Sequence, residues 1–229
     1  CWTGPGTGAR RPGDTMRGMD PDAVAALLLD EAGPLSGRVA VVDDSDGALT
    51  HAAAAQGAEV LTWCDDLRAL ADVPAEHRTP WPPPPGFVPD VVLWRLPKAV
   101  SAVEDYAEHL AAIVGPHTRI LAGARTRHMT PAQTTALARQ FADVSASLGR
   151  DKSRVLRASG PLGAPRRWPR RRQLPEVGLT VVAHGNVFGA DRLDAGTGLL
   201  LRALGAALDD PRREAGADAL ATGGTAGDL

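Results

Sequence analysis

A chain of 229 residues, 44% hydrophobic and 23% charged, carries enough apolar surface for one full domain and part of another. Its formal net charge of −2 gives no overall pull toward nucleic acid, and its two cysteines, Cys1 and Cys64, exclude a disulfide scaffold and a cysteine-rich metal site. That sparse use of cysteine makes a reducing cytoplasm the expected compartment, and no apolar run reaches the roughly 20 residues of a membrane span.

Residues 1–19 are rich in Gly, Arg and Pro, lack the apolar stretch of a signal peptide, and read as a disordered leader; Met16 or Met19 would serve as a start. DPDAVAALLLDEAG (20–33) has a capping Asp20, Pro21, helical apolar spacing and a closing glycine, which predicts a helix. GRVAVVDD (37–44) is a short buried strand, GALTHAAAAQGA (47–58) a helix, and EVLTWCDD (59–66) a second strand. PAEHRTPWPPPPGFVP (74–89) is expected to be an extended, exposed proline loop. DVVLWRLP (90–97) gives a third strand, AVEDYAEHLAAIV (102–114) a helix and TRILAGAR (118–125) a fourth strand. TPAQTTALARQFADV (130–144) reads as one helix with Thr-Pro at its start, and SRVLRAS (153–159) as a last strand. Short strands alternating with helical runs predict an α/β fold: a doubly wound, Rossmann-like parallel sheet over 20–160. An Arg/Pro-rich linker is expected over 161–178. From 179 to 229, a strand, a turn region and a short helix read as the incomplete start of a second, similar domain.

The turn after the first strand is where such a sheet binds nucleotide-type ligands. Dinucleotide binders need several glycines there, whereas this turn offers Gly47 alone, and Asp43, Asp44 and Asp46 would repel phosphate. S-adenosylmethionine, cationic at sulfur and free of phosphate, suits an acidic turn better, with Asp65 or Asp66 available for ribose hydroxyls. The competing reading is that these aspartates cap the next helix or sit at a solvated strand end.

VVDDSDGAL, PDVVLWRLPKAV, ILAGARTRHMTPAQ, DKSRVL and LTVVAHGNVFGADRLDAGTGLLLRAL, in that order, resemble bacterial ribosomal RNA guanine-N2 methyltransferases of the RsmC/RlmG type, over about residues 20–204. The resemblance implies a duplicated methyltransferase scaffold. The amino-terminal half has lost cofactor and catalytic motifs, and the carboxy-terminal half binds S-adenosylmethionine and transfers the methyl group. In an active half, the strand matching 91–94 would end in Asn-Pro-Pro-aromatic, which orients the guanine amino group and stacks on the base. This chain has Arg95-Leu96-Pro97-Lys98 there, so no catalytic residue is assigned to it; Leu96 cannot accept a hydrogen bond from an amine, and Arg95 and Lys98 suit phosphate instead. By the same resemblance, Phe188, Leu193, Asp194, Gly196 and Thr197 open the catalytic half near its cofactor site. A turn and a capped apolar helix explain them equally well. The chain ends at or just before the expected glycine-rich cofactor turn, so it is expected to be a truncated fragment, inactive alone and a poor binder of S-adenosylmethionine.

Between 150 and 172 lie nine basic residues, Arg150, Lys152, Arg154, Arg157, Arg166, Arg167, Arg170, Arg171 and Arg172, with Trp168 among them. Such a cluster suits phosphate neutralisation with base stacking, against the alternative of a solvated linker. With Arg95 and Lys98, these residues (Arg157 apart) and Trp168 are the RNA-binding candidates, and ribosomal RNA or a ribosomal subunit is the expected partner of a monomer. The six histidines lack metal-ligand spacing, Cys64 reads as a buried structural thiol, and no nucleophile elbow occurs. The leading reading is the substrate-recognition half of an S-adenosylmethionine-dependent ribosomal RNA (guanine-N2) methyltransferase. The alternatives are a stand-alone non-catalytic module that binds RNA or a partner, and a Rossmann-like enzyme for an unrelated small ligand.

Overall fold

The computed structural model describes residues 22–81, 83–84, 86–175, 178–187 and 194–208. Six strands form one sheet: β1 (Arg38–Val42), β2 (Glu59–Trp63), β3 (Val91–Arg95), β4 (Arg119–Arg125), β5 (Phe141–Ala146) and β6 (Ser153–Pro161), in the order β2-β1-β3-β4-β6-β5. The first four run parallel, which bears out the doubly wound core. β6 is antiparallel to β4 and β5 antiparallel to β6, so a hairpin closes one edge of the sheet.

Alternation within the strands decides which helices cover which face. Val39 and Val41 of β1, Val91 and Leu93 of β3, Leu121 of β4 and Val155 of β6 share a buried cluster with α1 (Ala23–Ala32) and α2 (Ala48–Ala55). Ala40, Val42, Val92, Trp94, Ile120, Ala122 and Leu156 point to the opposite face and pack with α3 (Val100–Ile113) and α4 (Pro131–Ala138). Gly123 lets α1 approach closely, since a Cβ there would stand 2.8 Å from Leu28 Cγ.

The structure corrects several local expectations. The cap of α1 is Asp22, not Asp20: its Oδ1 accepts from the N–H groups of Val24 and Ala25, both at 2.9 Å. The helix expected over 130–144 stops at Ala138, and its second half is β5. Phe141 is buried at the start of that strand, and pairing with β6 outweighs helix propensity there. The proline loop is only partly exposed, because Phe87 is buried and Trp81 packs on Trp63 with ring centroids 4.8 Å apart.

The stretch read as a linker is structured in part: β7 (Arg170–Leu174) pairs antiparallel with β8 (Leu179–Ala183). α5 (Ala195–Leu208) follows and leaves Leu199, Leu200 and Leu204 exposed. The leader 1–19, Asp20, the tail 209–229, Phe188 and Leu193 lie outside the described residues. Among the described residues, no helix is long and apolar enough to cross a membrane, and no cluster of potential metal ligands occurs.

Candidate functional site

The carboxyl ends of β1, β2 and β3 meet at the acidic turn, and its aspartates have distinct tasks. Asp44, fully buried, accepts from Thr50 N–H at 2.9 Å, Thr50 Oγ1 at 2.7 Å and Leu49 N–H at 3.4 Å, and so holds the first turn of α2. Asp46 Oδ1 accepts from Ala48 N–H at 3.2 Å. Gly47, at the N-cap, has φ 71°, and a Cβ there would lie 2.5 Å from the Asp72 carbonyl oxygen, so no other residue fits.

Arg95 reaches this turn from the end of β3. Its Nη1 donates to Asp22 Oδ2 at 2.8 Å and its Nη2 to Asp46 Oδ1 at 2.7 Å, while Nε lies 3.8 Å from Asp44 Oδ1. One guanidinium, 11% exposed, thus joins the capping carboxylates of α1 and α2. This corrects Arg95 as an open phosphate contact: its donors face inward to carboxylates. Leu96 is also buried; its N–H donates to the Gly123 carbonyl at 2.8 Å, and the Pro97 carbonyl accepts from Gln133 Nε2 at 3.1 Å. The turn after β3 is therefore engaged in packing and internal hydrogen bonds.

Beside the turn is a cavity of about 210 Å³ lined by Asp43, Ser45, Cys64, Asp65, Asp66, Ala69 and Asn186. It falls below the roughly 300–1,000 Å³ of ordinary ligand pockets. Asn186 Nδ2 donates to Asp65 Oδ2 at 2.5 Å, so that acid already has a partner, and Asp66 accepts from Arg68. Burial pushes the Cys64 thiol up to about 12, which fits an inert structural thiol.

Asp43 holds φ 57° and accepts from the Asp65 N–H at 2.9 Å. Burial, only partly offset by that hydrogen bond, pushes its carboxyl up to about 6. The folded value lies above the unfolded one, so the folded state binds the proton more tightly. The group's contribution to stability is therefore largest in acid and falls as pH rises through 6. Asp43→Asn keeps the acceptor and suits the left-handed backbone. It is expected to stabilise the chain at pH 7.5 by about 1–2 kcal/mol, discounted for partial exposure, and by much less at pH 4.5. Urea midpoints at the two pH values check this; an equal gain at both would remove the carboxyl's role.

A second constellation was missed by the sequence reading. On α3, Glu104, Asp105, Glu108 and His109 share one face and grip the segment that follows β6. Glu108, 2% exposed, accepts from Arg167 N–H at 2.7 Å and Trp168 N–H at 3.0 Å. Asp105 Oδ2 accepts from Gly185 N–H and His184 Nδ1, each at 2.9 Å, and Ser101 Oγ donates to the Gly185 carbonyl at 2.6 Å. Burial works against the Asp105 charge, but His109, the Gly185 N–H and His184 hold the carboxyl below its ordinary value. Four polar side chains spaced i, i+1, i+4, i+5 on a helix that is otherwise apolar apart from Ser101 and Tyr106 were the available signal.

That grip takes apart the basic cluster. Arg167 pairs with Glu108 and Glu104, Arg170 with Glu104, and Arg166 Nη2 contacts His109 Nε2. Arg150 pairs with Asp30 at 3.0 Å and Arg157 with Glu31 at 2.5 Å. Trp168 is 3% exposed, with Arg170 4.3 Å from its ring centroid, which corrects its reading as a base-stacking platform: its ring is packed inside the protein. Lys98, Lys152, Arg154, Arg171 and Arg172 are exposed. Asp194, Gly196 and Thr197 come together as a helix start. Asp194 Oδ1 accepts from the N–H groups of Gly196 and Thr197 at 3.0 and 3.1 Å, and Thr197 Oγ1 donates to Oδ2 at 2.5 Å.

A parallel core with helices on both faces, a hairpin at one edge and acids at the ends of the first two strands defines an α/β domain of methyltransferase type. A T. thermophilus 16S rRNA N2 methyltransferase, RsmC, solved with AdoMet and guanosine, shares this fold at a TM-score of 0.60 and 18% identity, over 82% of this chain and 53% of that one. The chain belongs to the RLMG N-terminal domain family, whose sequence model matches residues 21–161. Similar relatives include ribosomal RNA large subunit methyltransferase G of Streptomyces avermitilis, 32% identical over 84% of this chain and 56% of the relative. That of Stutzerimonas stutzeri is 30% identical over 86% of this chain and 56% of the relative. The chain thus spans about half the length of the curated relatives it matches.

Proposed function

We propose that this chain supplies the substrate-holding, non-catalytic half of a cytoplasmic, S-adenosylmethionine-dependent ribosomal RNA (guanine-N2) methyltransferase acting on the large subunit. The observation that carries the reading is Arg95. The acidic turn of this unit is neutralised from within by a guanidinium where a cofactor-binding turn would stay open. The small neighbouring cavity and the Asn186–Asp65 hydrogen bond point the same way. The residues present do not fit S-adenosylmethionine in this unit, and the methyl transfer itself belongs to a second unit that residues 179 onward begin. The exposed Leu199, Leu200 and Leu204 on α5 form an apolar stripe suited to packing in that unit.

In the organism that encodes it, deleting the gene is expected to remove one N2-methylguanosine from large-subunit ribosomal RNA, read by mass spectrometry of digested RNA. An unchanged modification profile would refute the reading. In equilibrium dialysis, the 229-residue chain is expected to show no saturable uptake of S-adenosylmethionine. Stoichiometric uptake would instead make this unit a working cofactor site.

A further inference from the structure

We propose that the carboxyl edge of β4 and the β5–β6 turn form the surface that takes the phosphate backbone of RNA, through Arg125, Arg127 and Lys152 with Lys98 and Arg154 at its margins. The inference rests on the RNA-holding reading above and assigns its location, which differs from the Arg-rich run at 166–172.

Topology assembles the site. Because β6 runs antiparallel to β4, its first residues lie beside the last residues of β4, with Arg125 opposite Ser153. Thr126 N–H donates to the Lys152 carbonyl at 2.8 Å. The turn between Arg150 and Ser153 has two central residues, Asp151 with φ 50° and Lys152 with φ 58°. Reciprocal hydrogen bonds of 2.9 and 2.8 Å between Arg150 and Ser153 close it, the geometry of a tight hairpin. Arg125 Nη1 donates to the Asp151 carbonyl at 2.9 Å, which fixes the guanidinium over the turn. Arg125, Thr126, Arg127 and Lys152 line an open cavity of about 490 Å³. The end of β3 lies alongside and contributes Lys98, since Arg95 is paired with Gly123 of β4.

Charge separates this edge from the other arginines. Among the described residues, no carboxylate forms an ion pair with Lys98, Arg125, Arg127, Lys152 or Arg154, whereas Arg150, Arg157 and Arg167 are each held by an acid. Asp151 is the one acid in the turn. His128 reports the local field: partial desolvation first, then the charges of Lys98 and Arg127, hold its imidazole below the ordinary value. A pair of guanidiniums offers forked donors to phosphate oxygens, Lys152 adds a mobile point charge, and the Thr126 hydroxyl adds a neutral donor. The site also lies at the carboxyl ends of the strands, where ligands enter a doubly wound sheet.

The test is fluorescence anisotropy of a labelled RNA stem-loop with the 229-residue chain across a salt series. The variant is Arg127→Ala with Lys152→Asn, asparagine being chosen because it tolerates the left-handed backbone. With two fewer phosphates neutralised, at roughly 0.7–0.9 each, the slope of log affinity against log salt should fall by about 1.4–1.8, and affinity at 0.1 M salt by roughly 25- to 60-fold. A control that removes the same charge elsewhere, Arg38→Ala with Arg68→Ala, should leave both unchanged, and circular dichroism should match throughout. If the parent binds with a salt slope and the Arg127/Lys152 variant keeps it, this site is wrong and the RNA-holding reading survives. If the parent shows no salt-dependent binding, that reading falls and takes the site with it.

Discussion

Arg95→Ala should lower stability by about 3–5 kcal/mol, the cost of removing one partner from a buried charge cluster and leaving the others unpaired. For a chain of this size, that corresponds to a fall in melting temperature of roughly 6–20 °C. The loss is large because Arg95 ties together Asp22, which caps α1, and Asp44 and Asp46, which hold the start of α2. Its dependence on pH has a definite sign. Burial works against the Asp22 charge, but the Ala25 N–H and then Arg95 hold its carboxyl below the ordinary value. That stabilisation is present above the unfolded carboxylate value and is lost as pH falls through the lower folded one. The deficit of the Ala variant should therefore be greatest near neutrality and shrink below about pH 4. Arg95→Lys keeps the charge without the fork and should lie between the two. A deficit that does not change with pH would mean that packing, and not charge, accounts for the arginine.

The parallel core was legible because each of its strands is a short apolar run bounded by turn residues, and VAVV, EVLTW, VVLW and RILAGA all pair as read. The hairpin edge was not. ALARQFADV satisfies a helical pattern over its whole length, and only pairing with β6, whose partner residues lie 10 to 20 positions further on, makes 141–146 a strand. The departure from the Asn-Pro-Pro-aromatic pattern that the resemblance implies could be read directly, since Arg95 and Leu96 follow Trp94 in the sequence. What Arg95 does instead could not be, because two of its three partners lie about 50 residues away and the third more than 70.

The basic run at 150–172 shows the same limit from the other side. Neighbouring arginines look like one patch in sequence, yet Arg150, Arg157 and Arg167 are each matched by an acid on α1 or α3. The cations at 98, 125, 127, 152 and 154 are scattered along the chain, so no local window gathers them. The sheet does that, by placing the ends of β3 and β4 beside the start of β6.

Glu108→Ala should free the segment around Trp168 while leaving the core nearly unchanged. Glu108 is buried, and its carboxylate is the acceptor for the Arg167 and Trp168 N–H groups. Truncation leaves both donors without it, at about 1–3 kcal/mol for each group that stays buried. Local opening relieves that cost, so the penalty falls on the docked segment and not on the sheet. A local loss of about 3 kcal/mol corresponds to roughly 100-fold faster cleavage by trypsin within 166–172, under conditions where opening is faster than cutting. Glu108→Gln retains an acceptor and should recover much of the protection. The thermal midpoint of the sheet should move by no more than a few degrees, since Trp94, Leu110 and Ile120 do not depend on the segment for their burial against one another. Unchanged cleavage in the Ala variant would show that the burial of Trp168 alone holds the segment, and that the acidic face of α3 does not clamp it.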